Sequence, residues 1–121
     1  MVRTLLVIDD DPLWRLLYRL EFEGMFQVVE AADGQEGLLR YKETLPDLVI
    51  VDLQMPRMDG ATFVRQLRRM RHVAPVIVCT SAPAEATPLV PPGVRVVSKW
   101  TDLKELRAAV SSFCVEPGHR L

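Results

Sequence analysis

The stretch Pro46-Asp47-Leu48-Val49-Ile50-Val51-Asp52-Leu53-Gln54-Met55-Pro56 constrains this chain more than any other. Leu48 to Val51 are too few for a solvent-facing helix and too apolar for an alternating surface strand. Enclosed by Pro46 and Pro56, they predict a strand covered on both faces, as in a parallel α/β sheet. Asp52 then stands where that strand emerges, at its carboxyl end. This is the edge at which open α/β sheets bind ligands. A lone acid there serves equally as a helix cap, an ion-pair partner or a reactive group, and the rest of the chain decides between them.

The 121 residues are enough for one domain with a real core, and 49% hydrophobic with 26% charged residues is a soluble globular composition. A net charge of −1 gives no reason to expect unaided nucleic-acid binding or attachment to a membrane surface. No apolar run approaches the roughly 20 residues that span a bilayer. Met1-Val2-Arg3-Thr4 lead straight into strand-like residues without a signal-peptide cleavage pattern, so a cytoplasmic location is expected. Cys79 and Cys114 have no metal-type spacing and read as two buried free thiols. There is no internal repeat and no low-complexity segment.

In chain order, Leu5 to Ile8 form an apolar run ending in Asp9-Asp10-Asp11-Pro12. Asp11 suits a helix N-cap and Pro12 the first helical position. The helix that follows carries Leu13, Leu16, Leu17 and Leu20 on one face, opposite Arg15 and Arg19. Asp9 and Asp10 are left over at a strand end, where adjacent acids repel unless a cation is held. Gly24 closes the helix, and Phe26 to Val29 make the next strand. Gly34 to Thr44 predict a second helix anchored inward by Leu38, Tyr41 and Leu45. Ala61 to Met70 predict a third, with Phe63, Val64, Leu67 and Met70 inward. Its Arg65, Arg68 and Arg69 are most simply a solvated face. Pro75 to Ser81 repeat the buried-strand pattern and end in Thr80-Ser81. Val94 to Val97 form the last strand, followed by Lys99 and by a helix from about Asp102 to Cys114. That helix carries Leu103, Leu106, Val110 and Phe113 at helical spacing. Residues 116–121 read as a tail or the start of a linker, leaving one domain over 1–121 with its core at about 3–115. His72 and His119 fall in polar turn or tail settings without catalytic companions.

Alternating strands and helices imply right-handed parallel crossovers and a doubly wound sheet. Such a sheet brings Asp9, Asp10, Asp52, Thr80 and Lys99 to one edge. Carboxylates are hard ligands suited to Mg²⁺. A carboxylate can also be the nucleophile of phosphoryl transfer, with cations and donors offsetting the phosphoryl charge.

Asp9-Asp10, Asp52 with Met55-Pro56 and Asp59-Gly60, Thr80 and Lys99 resemble the signature of response-regulator receiver domains, the CheY-like family of two-component signal transduction. The resemblance covers roughly residues 3 to 115. It implies a (βα)5 flavodoxin-like three-layer sandwich with strand order 2-1-3-4-5. It also implies that Asp52 accepts a phosphoryl group from the phosphohistidine of a sensor kinase or histidine phosphotransfer protein. Asp10, Asp52 and the backbone carbonyl of Gln54 would bind Mg²⁺ directly, with Asp9 acting through metal-bound water and Mn²⁺ as the expected substitute. Lys99 would pair with Asp52 and then with phosphoryl oxygens, while Thr80 would turn inward to the phosphoryl group and couple it to a conformational switch. Such a protein is a phosphoacceptor regulator in a phosphorelay rather than an enzyme, catalysing only its own phosphorylation and dephosphorylation. The downstream target or output domain is not named by the sequence.

The chain departs from the family at several positions. Trp100 stands where the family places a cis proline after its lysine, and a cis bond before a non-proline costs about 2.5–4 kcal/mol. That cost is borne locally, or the bond is trans and Lys99 enters by another path. Val96 replaces an aromatic residue commonly paired with the switching threonine. Pro83, Pro88, Pro91 and Pro92 predict a fourth helix that is shortened or irregular. Gln54 and Ala82 occupy positions that in similar domains tune hydrolysis of the acyl phosphate, and the resemblance implies a longer lifetime here, since Ala82 cannot hydrogen-bond an attacking water. Trp14 and Trp100 are expected to flank the pocket as packing residues, with kinase docking as the alternative. Two other functions are compatible with these residues: a phosphorylation-independent protein-interaction module, and a free-standing phosphatase-like enzyme. The latter needs a second acid, but Asp59 is more simply a turn or helix-start residue.

Overall fold

The computed structural model describes residues 3–70 and 73–114. His72, His119 and the tail at 116–121 lie outside the described residues. Five strands, β1 (Arg3–Ile8), β2 (Phe26–Ala31), β3 (Leu48–Val51), β4 (Val76–Thr80) and β5 (Arg95–Ser98), form one parallel sheet in the order β2-β1-β3-β4-β5. Between and after them run α1 (Pro12–Phe22), α2 (Gly34–Thr44), α3 (Gly60–Leu67), α4 (Pro83–Ala86) and α5 (Lys104–Cys114). The predicted flavodoxin-like order is the one found. β2 runs two residues further than the sequence pattern predicts, to Ala31, and α3 stops at Leu67.

Alternation along the strands divides the core. Leu6, Ile8, Val49 and Val51 face α2, α3 and the α4 turn, with Tyr41, Phe63 and Leu67 completing that layer. Leu5, Val7, Leu48 and Ile50 face the opposite layer, with Tyr18, Phe22, Leu106 and Val110. All four residues of β3 are fully buried, as a strand flanked by β1 and β4 and covered on both faces requires. Burying aliphatic side chains on this scale, at about 1.5–3 kcal/mol each, supplies the main favourable contribution to the fold.

The helix starts follow their acids. Asp11, Asp33 and Asp59 each accept a hydrogen bond from a first-turn N–H of α1, α2 and α3. The prolines shorten α4 to one turn, continued by a 3₁₀ turn at Thr87–Leu89, because Pro88 cannot donate to a continuing helix.

The structure decides which face of α1 turns inward and corrects one expectation, at Leu45. The leucine face of α1 does not meet the sheet: Leu13, Leu16, Leu17 and Leu20 are 37–62% exposed, whereas Tyr18 and Phe22 are buried and Trp14 is half-buried. α1 is apolar on two faces, and the aromatic one, with more area to bury, faces inward. Arg15 and Arg19 lie between the two and pair with Glu30 of β2 at 3.0 and 2.7 Å. Replacing Leu13 and Leu20 by Gln is therefore expected to change stability by no more than about 0.5 kcal/mol each. Inward leucines at those positions would cost about 2–5 kcal/mol on truncation, and urea denaturation distinguishes the two. Leu45 is likewise exposed rather than an anchor, since it caps α2 in the left-handed conformation (φ 46°), which turns its side chain off the inward face. Cys79 is buried as expected, and Cys114 only partly so.

Candidate functional site

The carboxyl ends of β1, β3, β4 and β5 converge on one pocket. The ladders continue past the strands to hold it: the Asp9 N–H donates to the Ala31 carbonyl, Asp52 N–H to Ile8 and Lys99 N–H to Thr80, at 2.9–3.1 Å. These bonds fix the Cα positions of the acids and the lysine to the rigid sheet rather than to mobile loops. Asp9 is fully buried, Asp52 and Lys99 nearly so, and Asp10 is exposed at the mouth.

The Lys99 ammonium lies 2.7 Å from Asp9 Oδ2 and 3.1 Å from Asp52 Oδ2. Asp9 Oδ1 accepts the Asp11 N–H, and the Arg15 guanidinium donates to the Asp9 carbonyl. Asp9, Asp10 and Asp52 can each offer one carboxylate oxygen within 4.8 Å of the others. The predicted residues Asp9, Asp10, Asp52 and Lys99 are thus brought together. Thr80 is fully buried at the end of β4, its hydroxyl accepting the Ala82 N–H at 3.3 Å. Gln54 is exposed in the β3–α3 loop.

Burial raises the Asp9 carboxyl above the ordinary carboxylate value, and the hydrogen bond from Lys99 opposes but does not cancel that shift. Burial also disfavours the Lys99 ammonium, yet the hydrogen bond to Asp9 and the charges of Asp52 and Asp9 prevail, so its pKa is raised. The ammonium is therefore charged at neutral pH. Below the pocket the Tyr18 hydroxyl is buried without an oxygen or nitrogen partner, against the Cys79 thiol, and burial pushes that thiol up to about 11. Cys79 is a neutral packing group at neutral pH.

No cis peptide bond occurs among the described residues, so Lys99-Trp100 is trans. Lys99 still enters the pocket, its N–H held on the Thr80 carbonyl at the end of β4 and its ammonium reaching Asp9 and Asp52; the chain then turns through Asp102 (φ 51°) and Leu103 (φ 62°). The Ser98 hydroxyl accepts the Trp100 N–H and the Ser98 carbonyl accepts the Thr101 hydroxyl, which stabilises this turn. Trp100 flanks the pocket and packs edge-on against Trp14 at 6.4 Å, yet it stays 71% exposed, with its indole N–H donating to the Ser81 carbonyl at 3.2 Å.

Sequence reasoning missed Arg15, whose contact with the Asp9 carbonyl no spacing announces. It also missed Asp33, which caps α2 and pairs with Arg57 at 2.9 Å. A signal for Asp33 was present in Asp33-Gly34-Gln35-Glu36, an acid three residues before a glutamate at a helix start. Hydrogen bonding from the Glu36 N–H and the Arg57 guanidinium hold the Asp33 carboxyl below its usual range, against the effect of burial.

Residues 5–111 match the response regulator receiver domain family. Chemotaxis protein CheY of Bacillus subtilis is 34% identical over 83 residues, covering 67% of this chain and 69% of that protein. The alkaline phosphatase synthesis transcriptional regulatory protein PhoP of the same organism is 33% identical over 70% of this chain, which spans only 36% of that relative's length. Among solved structures, response regulator protein TrrA of Thermotoga maritima, in complex with Mg²⁺-BeF, superposes with a TM-score of 0.80 at 26% identity, covering 93% of this chain and 99% of that one. A LuxR-family response regulator from Aurantimonas gives 0.79 at 31% identity, over 93% and 84%. With the ordered acids, the lysine and the 2-1-3-4-5 sheet already in place, this chain belongs to the response regulator receiver domain family.

Proposed function

We propose that the chain is a working phosphoacceptor: Asp52 takes a phosphoryl group from a phosphohistidine on a kinase or phosphotransfer protein, and the modified domain alters a partner-binding surface. The observation that carries this reading is the Lys99 ammonium set between Asp9 and Asp52, with Asp10 completing a three-acid cluster at the mouth. In the transfer an Asp52 oxygen forms a bond to phosphorus as the phosphorus–nitrogen bond to the donor imidazole breaks. The electron pair stays on that imidazole, which gains its proton from solvent. Lys99 lies within reach of Asp52, so its charge offsets that of the arriving phosphoryl oxygens. Thr80, next to it at the strand end, supplies a hydroxyl that can exchange its Ala82 contact for the phosphoryl group.

The donor set fits a hard divalent cation. Three carboxylates, one of them open to solvent, leave positions for water and a phosphoryl oxygen, as Mg²⁺ or Mn²⁺ requires. Asp10, Asp52, Asp9 and the Gln54 carbonyl are the groups that would hold it. When bound, the cation supplies charge neutralisation for transfer between anions.

The test is intact mass after incubation with acetyl phosphate and Mg²⁺, with Asp52→Asn as the control. A phosphate adduct is expected in the wild type and not in the variant. Absence of any adduct, with cation binding intact, would shift the reading to a phosphorylation-independent interaction module, which the one-turn α4 and Val96 favour. Equal modification of the variant would remove Asp52 from its role. Among the described residues no helix is long and apolar enough to cross a membrane.

A further inference from the structure

The Lys99 ammonium has a third neighbour that neither the acids nor the ladder explains. It lies 4.8 Å from the centroid of the Trp14 ring, over its face, inside the roughly 6 Å range at which a cation is held by a π-system. Trp14 is itself braced on two sides. Tyr18, one turn on in α1, meets it at 6.0 Å, and Trp100 stands edge-on to it at 6.4 Å with an interplanar angle of 74°. Trp100 is fixed in turn by its indole bond to the Ser81 carbonyl. An indole that is 71% exposed and yet tied down at its only donor is a cover rather than a core residue.

We propose that Trp14 is a positioning residue for phosphoryl transfer, holding the Lys99 ammonium in the pocket by its ring face, with Trp100 as its brace. This rests on the phosphoacceptor reading for its consequence, though not for its geometry. The backbone after Lys99 is trans and turns away at once, so the long lysine stem needs a constraint other than its own main chain. Asp9 and Asp52 cannot supply a constant one, because their oxygens change partners when a cation or a phosphoryl group arrives. The face of Trp14 attracts the ammonium while offering no ligand atom and no proton, so it competes with nothing in the reaction. It keeps Nζ close to Asp52 through each change of partner.

Trp14→Leu, Trp14→Phe and the wild type are compared with acetyl phosphate and Mg²⁺ on the full chain. Leucine keeps apolar packing but removes the ring face, and phenylalanine restores a face. The expected result is a phosphorylation rate constant at saturating donor about five- to thirty-fold lower for Trp14→Leu and within about threefold for Trp14→Phe, following the strength of a largely desolvated cation–π contact. Proton NMR gives a signature that packing alone does not move: the ε-methylene protons of Lys99 should be shifted upfield by the ring in the wild type and Trp14→Phe, and not in Trp14→Leu. Should Trp14→Leu fail to fold, tetrafluorotryptophan placed at position 14 alone keeps the ring shape and removes its negative face, and the same loss of rate is expected. Wild-type rates in Trp14→Leu or the fluorinated protein, or an unchanged Lys99 signal, would overturn the proposal. A wild type that takes up no phosphate would sink the phosphoacceptor reading instead, and the NMR comparison would still decide the placement of Lys99.

Discussion

Lys99→Ala is expected to destabilise the protein, without added divalent cation at pH 7, by about 3–5 kcal/mol, the usual cost of breaking a buried pair from one side. Asp9 is fully buried and Asp52 is 8% exposed, so their charges have little water to turn to once the ammonium is gone. The sign of the pH dependence is specific. The Asp9 carboxyl is already raised above its unfolded value of 3.8, mainly by burial. Between that value and the raised one the folded state binds more protons than the unfolded state, so stability falls as pH rises through the window. This is the reverse of the usual paired aspartate. Removing Lys99 removes the group opposing the shift, and the window extends upward. Lys99 itself, raised above 10.5, contributes stability that is complete at neutral pH and lost only as pH climbs through its folded value. Acidification to pH 5 should therefore recover part of the loss in the variant. A divalent cation should recover more, about 2.7 kcal/mol at a hundredfold excess over its dissociation constant. Urea denaturation at pH 5 and pH 7, with and without Mg²⁺, is the measurement. A variant as stable as the wild type at pH 7, and indifferent to both treatments, would mean that the three groups do not share a buried charge balance.

Why the sequence exposes so much of this site and so little of α1 has a physical cause. Asp52 and Thr80 close runs of apolar residues that can only be covered strands, and Asp9 follows a third. Parallel topology then leaves no choice about which edge they share. The same holds for the α4 turn, since Pro88 and its neighbours exclude a long helix whatever surrounds them. In α1 the period was plain but the face was not. Leu13, Leu16, Leu17 and Leu20 make one stripe, and Trp14, Tyr18 and Phe22 make another on the far side. Only the space between the sheet and α5 selects the aromatic one, and that is a property of packed volumes rather than of spacing. Trp14 and Trp100 do flank Lys99, as the sequence suggests, but the exposure of Trp100 was not legible, for a related reason. Its exposed place beside Trp14 depends on a trans bond and two left-handed residues further on, which a local pattern of Lys-Trp-Thr-Asp does not announce.

Gly60→Ala is the second large effect expected, and it ties the fold to the site. The Gly60 N–H donates to the Leu53 carbonyl at 2.8 Å, closing the loop that follows Asp52. A Cβ on Gly60 would press into the Asp52 carbonyl oxygen, with Leu53 Cα at 2.9 Å and the Asp52 carbonyl carbon at 3.0 Å. All three are backbone atoms, and none can rotate away. Gly37 offers the contrast: a Cβ there meets chiefly the end of the Ile8 side chain at 2.6 Å, which can move. Gly60→Ala must instead push the start of α3 away from β3 or lift Asp52 and Leu53 out of register. Overpacking against backbone, together with a weakened loop hydrogen bond, is expected to cost about 2–4 kcal/mol, less the few tenths to 1 kcal/mol that alanine returns as a better helix former. The site should suffer further, because a displacement near 1 Å at a reacting group can cost about a hundredfold in rate. Denaturation curves and acetyl-phosphate uptake, measured on Gly60→Ala and Gly37→Ala together, separate the two consequences. Loss of uptake in Gly60→Ala beyond the fraction unfolded would show that this close approach sets the aim of Asp52. Uptake that simply follows the folded fraction would assign Gly60 to stability alone, leaving the ladder from Asp52 to Ile8 to fix the phosphoacceptor.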